Sequence, residues 1–267
     1  MDYVAHFQRE IQAFEAAIRE ASSAAAGDGA ALVPSCPEWS VVDLVIHLGS
    51  VHRHVSEVIG GRRRQPPRAD DLSVLGLPAA AAHWPLPQDA PNRVPFPPGL
   101  VEWFTEGASS LAGLLATRDA AEPVWTWSRD QSVGFWQRMQ TIEAALHRWD
   151  AENAIGAPGP VDRQLAADAV THSFEVMAPA GRARHNAPPG AGERLRFRQS
   201  DGSRVWIVQT DPDGVLLNPG GGCCDVELTA TASDLMLFLW RRIPVDGLEV
   251  RGDAALLERY FTLVPPV

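Results

Sequence analysis

Apolar residues recur at three- and four-residue steps in four stretches of the N-terminal half, and each stretch reads as an amphipathic helix. The first carries Val4, Phe7, Ile11, Phe14 and Ile18. The second opens at Ser40, which forms a capping box with Asp43, and stops at the Gly60-Gly61 pair. A third runs from Leu100 through Trp103, Phe104, Leu111 and Leu115, and a fourth from about residue 132 to residue 153. Between the second and third, Pro66, Pro67, Pro78, Pro85, Pro87, Pro91, Pro95, Pro97 and Pro98 exclude a regular helix. A connection so long inside a compact domain is either disordered or functional, and we expect residues 66–98 to lie over a pocket and limit access to it.

The period changes after Gly156-Ala-Pro-Gly-Pro160, which reads as a hinge. A helix with Leu165, Ala169 and Phe174 follows, then strands at residues 195–197 and 205–208 joined through Asp201-Gly202 as a hairpin. Residues 215–217 and 226–230 continue the sheet. Ser233 caps a helix through Leu235, Phe238 and Leu239, and a strand at 248–251 and a helix at 254–263 close the chain. The expected fold is therefore a four-helix bundle over residues 1–158, including a proline-rich loop at about 60–98, followed by a small α+β domain over 159–267.

The fourth helix carries the most informative spacing. Glu143 and His147 lie one turn apart on the same face, and Phe135, Met139, Ile142 and Leu146 mark that side as inward. A carboxylate and an imidazole are costly to bury without compensation, and a divalent metal supplies it simply. On the second helix His47 shares a face with Leu44, Val51 and Val58. The pattern alone leaves it as a third ligand or as a core histidine satisfied by a backbone carbonyl. Two ligands from one helix and one from another would leave zinc a fourth position open, as in catalytic sites.

The words around these residues are recognisable. Pro34-Ser-Cys-Pro-Glu-Trp39-Ser-Val-Val-Asp-Leu-Val-Ile-His47-Leu-Gly, Trp136-Gln-Arg-Met139 and Glu143-Ala-Ala-Leu-His147-Arg-Trp-Asp150-Ala-Glu together resemble the mycothiol-dependent maleylpyruvate isomerase family of DinB-like metalloenzymes. Leu239-Trp240-Arg-Arg242 and Leu248-Glu-Val-Arg-Gly252-Asp253 look like that family's sterol-carrier-protein-like second domain. The resemblance spans most of the chain apart from residues 60–98. It implies that His47, Glu143 and His147 are the metal ligands. One departure is Gln140-Thr-Ile142, where many relatives read closer to a His-Glu-Thr-type sequence.

The resemblance also implies a chemistry. Zinc accepts thiolate readily, and a metal-bound thiol loses its proton at neutral pH. A low-molecular-weight thiol, mycothiol, would thus attack a small electrophile as thiolate. Addition, bond rotation and elimination give cis–trans isomerisation; retention of the thiol gives S-transfer. An acidic substrate needs a cationic anchor, and Arg242, at the family's C-terminal arginine position, is the first candidate, with Arg241 beside it. Arg148 is expected to face away from His147, while Asp150 orients a ligand or pairs with Arg148. Two alternatives use the same residues: a hydrolase with metal-bound hydroxide as nucleophile, and a non-catalytic protein that binds a small ligand and keeps a structural metal.

Composition narrows the field. A formal charge of −10 excludes a nucleic-acid surface, and Arg62-Arg-Arg64 reads as a solvated loop. No apolar run is long enough to span a bilayer, and the start of the chain reads as helix rather than signal sequence. Three cysteines cannot make a disulfide framework, which points to the cytoplasm. Cys36 reads as a small buried hydrophobe, Cys223-Cys224 as structural, and His52 and His54 as surface histidines near the loop. Gly220-Gly-Gly222 lacks a following phosphate-binding pattern. A monomer or small homo-oligomer is expected.

Overall fold

The computed structural model describes residues 1–24, 29–68, 71–220 and 222–265, so positions 69 and 70 of the proline-rich segment and Gly221 of the glycine run lie outside the described residues. The chain divides into two compact units, Met1–Gly159 and Pro160–Val267.

The first unit is helical. α1 (Tyr3–Ala24), α2 (Val41–Gly60), α3 (Leu100–Thr117) and α4 (Val133–Ala154) pack as a bundle whose core includes Phe7, Phe14, Ile18, Leu44, Leu48, Phe104, Leu111 and Ile142. Local signals open two of these helices. Ser40 and Asp43 make the reciprocal capping box, and Ser132 caps α4 by accepting from the Phe135 amide at 3.2 Å. Preceding α2 is a small hairpin, β1 (Leu32–Val33) and β2 (Cys36–Ser40), that the pattern of side chains does not announce.

The sense of the helices explains the long connection. Thr141 donates to the Tyr3 carbonyl and Arg148 pairs with Glu10, a step of seven on each helix in the same direction, so α1 and α4 run parallel. Gly49 faces Trp103, Gly107 faces Arg53, and Gly60 faces Leu114, which makes α2 and α3 parallel too. Gly49 is required there, because a Cβ would sit 2.3 Å from the Trp103 ring. Two parallel neighbours cannot be joined by a short turn; the chain must travel back along a helix of about 30 Å. The described residues between α2 and α3 make that return as a strap with three short 3-10 turns among them, Leu72–Leu75, Ala79–His83 and Pro87–Asp89. The segment therefore also serves as the connection between two parallel helices.

The strap is anchored at its end. Asn92 donates its backbone N–H (2.8 Å) and its side-chain amide (2.6 Å) to the buried Asp43 carboxylate, which also accepts from the Ser40 amide at 2.8 Å. Trp103 donates to the Leu75 carbonyl at 3.0 Å and packs edge-on against Trp84 of the strap.

The second unit begins with α5 (Arg163–His172), which continues through a π-type turn, Ser173–Met177, into α6 (Ala178–His185). β3 (Glu193–Gln199), β4 (Val205–Asp211), β5 (Gly214–Leu217), β6 (Val226–Ala230) and β7 (Glu249–Gly252) form one sheet in the order β5-β4-β3-β6-β7. Only β3 and β6 pair in parallel; the connection between them carries the β4–β5 excursion. Leu195, Phe197, Val208 and Leu228 are buried on one face, with Phe174 and Tyr260 against Phe197. The opposite face carries Arg196 and Arg198, both paired with Glu227. α7 (Ala232–Leu239) is capped by Thr231, not by Ser233; the Ser233 hydroxyl instead accepts from the Val161 amide at 3.0 Å. α8 (Ala255–Leu263) ends the fold. Among the described residues no helix is long and apolar enough to cross a membrane.

The buried Asp43 ties a helix start to the far end of the strap, so Asp43→Ala should lower the unfolding free energy by about 2–4 kcal/mol. It should also open the strap to protease before the bundle unfolds. Urea denaturation with limited proteolysis reads both; an unchanged midpoint and cleavage pattern would show that the anchor is dispensable.

Candidate metal centre

The inward face of α4 meets α2 where three ligand atoms gather. One atom each from His47, Glu143 and His147 lies within 4.8 Å of the others, and among the described residues these three are the cluster that could hold a metal. His47 Nε2 is 3.9 Å from Glu143 Oε1. Tetrahedral zinc with bonds of about 2.0–2.1 Å sets its ligand atoms roughly 3.3 Å apart, so small side-chain rotations would close the observed arrangement on an ion. The cluster is half-buried: His147 is 5% exposed, while His47 and Glu143 keep partial access.

Hydrogen bonds around the cluster orient it. Asp150, fully buried, lies 3.0 Å from His147 Nδ1 through Oδ2 and accepts from the Ser35 hydroxyl at 2.7 Å through Oδ1. A carboxylate on Nδ1 fixes the tautomer that carries its proton there and leaves Nε2 with the lone pair needed for a metal. Asp150 thus sits against the ring of His147, one residue of the candidate cluster. Arg148 points away from His147, as its position predicts, yet it is buried; it pairs with Glu10 at 2.9 Å and Glu152 at 2.7 Å and donates to the Gly159 carbonyl. Gln140, also fully buried, donates its amide to Glu143 Oε2 at 2.9 Å. Burial pushes the Glu143 carboxyl above the usual carboxylate range, partly opposed by His147 and by the Gln140 bond. A cation is the compensation such a carboxyl lacks.

Trp39, from β2, roofs the cluster. Its ring centroid is 4.8 Å from that of His47 and lies nearly parallel to His147 at 6.4 Å. Beside it a cavity of about 230 Å³ opens along α2, lined by Trp39, Asp43, Ile46, His47, Ser50, Val51, Pro87 and Ala90. The strap therefore forms one wall of the space next to His47. None of these lining residues is an arginine.

Other expected positions fall differently. His52 is not at the surface: it is fully buried between Phe7 and Phe104, with neither ring nitrogen hydrogen-bonded among the described residues. Burial, then the nearby His147 and His47, lowers its pKa to about 3. His54 is half-buried beside Trp125, and its pKa is lowered by burial and then by Arg63. Arg62 and Arg63 are paired with Glu122 and Glu57. Cys36 opens β2 and is half-buried, but is not part of the cluster. Cys223 is exposed, against its expected structural role. In the second unit Arg241 takes a left-handed conformation (φ 60°) at the end of α7 and lies over the Phe261 ring, while Arg242 donates to the Trp240 carbonyl at 2.9 Å.

Known proteins share this arrangement of domains. Residues 7–152 match the family model described as the mycothiol maleylpyruvate isomerase N-terminal domain, and residues 164–259 match the C-terminal domain model that accompanies it. Two solved structures share the fold over 94% of this chain and 93% of theirs: an alanine mutant of the mycothiol-dependent maleylpyruvate isomerase, at 14% identity and TM-score 0.59, and that isomerase itself, at 13% and 0.58. No curated protein matches the sequence.

Two outcomes test this site. Purified wild-type protein should carry close to one equivalent of divalent metal by elemental analysis, His147→Ala should lose it, and Asp150→Asn should bind it about 10–100-fold more weakly in competition with a chelator. Equal metal content and affinity in all three proteins would refute the assignment. For His52, the unfolded state gains a proton below about pH 6.5 that the folded state refuses until about pH 3, so this group costs stability as pH falls through that window. Metal-free His52→Leu should therefore gain about 2 kcal/mol relative to wild type between pH 7.5 and pH 5, read from denaturant midpoints. A pH-independent difference would mean that His52 protonates in the folded state.

Proposed function

Because the chain belongs to the mycothiol maleylpyruvate isomerase family, whose members are enzymes, we propose that it binds one divalent metal through His47, Glu143 and His147 and uses mycothiol to act on a small electrophile. The observation that carries this reading is the three-ligand cluster with its His147 tautomer held by Asp150. Two histidines and a carboxylate suit zinc, which when bound supplies the charge that keeps a low-molecular-weight thiol deprotonated at neutral pH. Three ligands rather than four, among the described residues, support an exchangeable position and hence an enzyme over a structural site.

The chain's own residues define what happens around the thiol. Glu143, with Gln140 on its second oxygen, balances the positive charge. Trp39, Ile46, Val51 and Pro87 offer an apolar bed for the electrophile and keep water away from it, with the Ser50 hydroxyl as a hydrogen-bonding group in the same lining. Addition of the thiol to an activated double bond and its later elimination would give a maleylpyruvate-type isomerisation; retention would give S-transfer. By its place at the family's C-terminal arginine position, Arg242 is the proposed carboxylate anchor, with Arg241 its neighbour.

Turnover of maleylpyruvate by metal-replete protein, measured with and without mycothiol, tests the reading. Thiol-dependent product supports it; hydrolysis that ignores the thiol would replace it with metal-dependent hydrolysis. Arg242→Ala should keep its metal and lose about thirty- to a thousand-fold in kcat/KM on an acidic substrate, equivalent to about 2–4 kcal/mol. Arg241→Ala should be milder. An Arg242→Ala protein with full activity would return that arginine to the helix end it sits on.

A further inference from the structure

Three cysteines are present, and two of them are adjacent in the connection between β5 and β6. Cys223 is exposed and Cys224 half-buried, and neither is in a disulfide. An exposed thiol contributes no packing, so the small-buried-hydrophobe account that serves most free cysteines does not serve this one. Among the described residues, Gly220, Gly222, Cys223 and Cys224 donate no backbone hydrogen bond, whereas Asp225 next to them donates to the Arg194 carbonyl at 2.8 Å. Arg194 in turn reaches over the connection: it donates to the Pro219 carbonyl at 3.3 Å, and its guanidinium lies 3.4 Å from where a Cβ on Gly222 would be. Cys223 is therefore accessible, Cys224 partly so, and among the described residues neither backbone amide is held by the sheet's hydrogen-bond ladder.

We propose that Cys223 and Cys224 form a thiol-exchange site for the disulfide of a low-molecular-weight thiol. The Cys223 thiolate attacks one sulfur of the symmetrical disulfide, forming a mixed disulfide and releasing one thiolate, which takes up the proton Cys223 gave. The Cys224 thiolate then attacks the Cys223 sulfur, closing a Cys223–Cys224 disulfide and releasing the second thiol. The small disulfide is reduced to two thiols and the two cysteines are oxidised, so the electrons balance without another reagent. Consecutive Cα atoms lie about 3.8 Å apart, short of the usual 4.4–6.8 Å of disulfides, so the ring is strained and readily reduced. Strained, exposed disulfides are the labile ones. The site would respond to the oxidation state of a small-thiol pool and does not depend on the activity proposed above.

The test uses the full-length protein and cystine as the probe, with peptide mass spectrometry after blocking the remaining thiols. Wild type should yield a Cys223–Cys224 disulfide with two equivalents of cysteine released, reversed by excess cysteine. Cys224→Ser should stop at a stable cysteine adduct on Cys223, and Cys223→Ser should react at least tenfold more slowly. Both substitutions lie where no backbone amide is engaged among the described residues, and circular dichroism checks that they fold. Reaction confined to Cys36, equal reaction of both single variants, or two unreacted thiols in wild type would each overturn the proposal.

Discussion

Ionisable groups buried along α4 are what the N-terminal unit is arranged around. His147, Arg148 and Asp150 follow one another on this helix, each largely or wholly buried, with Glu143 one turn earlier. A lone buried charge costs several kcal/mol, so each must find a partner. Arg148 finds Glu10 on α1, which helps fix the parallel packing of those helices. Asp150 finds His147 and the hydroxyl of Ser35, which draws the β1–β2 hairpin onto the bundle. That hairpin carries Trp39 across the ligand cluster. Glu143 has a neutral amide and histidines beside it, and burial holds its carboxyl above the usual carboxylate range. The pairs of Arg148 and Asp150 shape the bundle, and Glu143, between Gln140 and His47, belongs to the candidate metal cluster.

Much of this was legible in the sequence because it follows from period and caps. The four helices, the Ser40–Asp43 capping box and the facing of Glu143 and His147 all depend on local spacing. What escaped depends on the sense and surroundings of helices. Nine prolines announce a long irregular connection, but nothing in them says that α2 and α3 run parallel and require it. His52 was misplaced for a related reason. At about 100° per residue it falls well away from His47, a sound argument for solvent only if α2 has a solvent face there. α2 instead meets α1, α3, α4 and the strap, and its buried positions run nearly all round the helix. The β1–β2 hairpin is too short, with Pro34 and Pro37 in it, to show an alternating pattern. In the second unit, Thr231 and Ser233 are both good caps by residue type, and only the register of the first turn decides between them.

Gln140 shapes the candidate cluster through its bond to Glu143. A histidine at this position could carry a proton or a charge, whereas the glutamine amide does neither and can only donate to Glu143 and accept elsewhere. Its donor is used on Glu143 Oε2, and its oxygen, buried, has no partner among the described residues. An amide oxygen left so is a poor trade for stability alone, since an unmet buried acceptor costs about 1–3 kcal/mol. The bond does secure Glu143 in one orientation, with Oε2 occupied and Oε1 turned toward His47. A monodentate carboxylate fixed in this way gives one oxygen to the cluster, which suits a tetrahedral set of two imidazoles, one carboxylate oxygen and one exchangeable position. His52 is sealed among Phe7 and Phe104 and held neutral by burial, while the half-buried His47 shares the lining of the neighbouring cavity with Asp43 and Ser50.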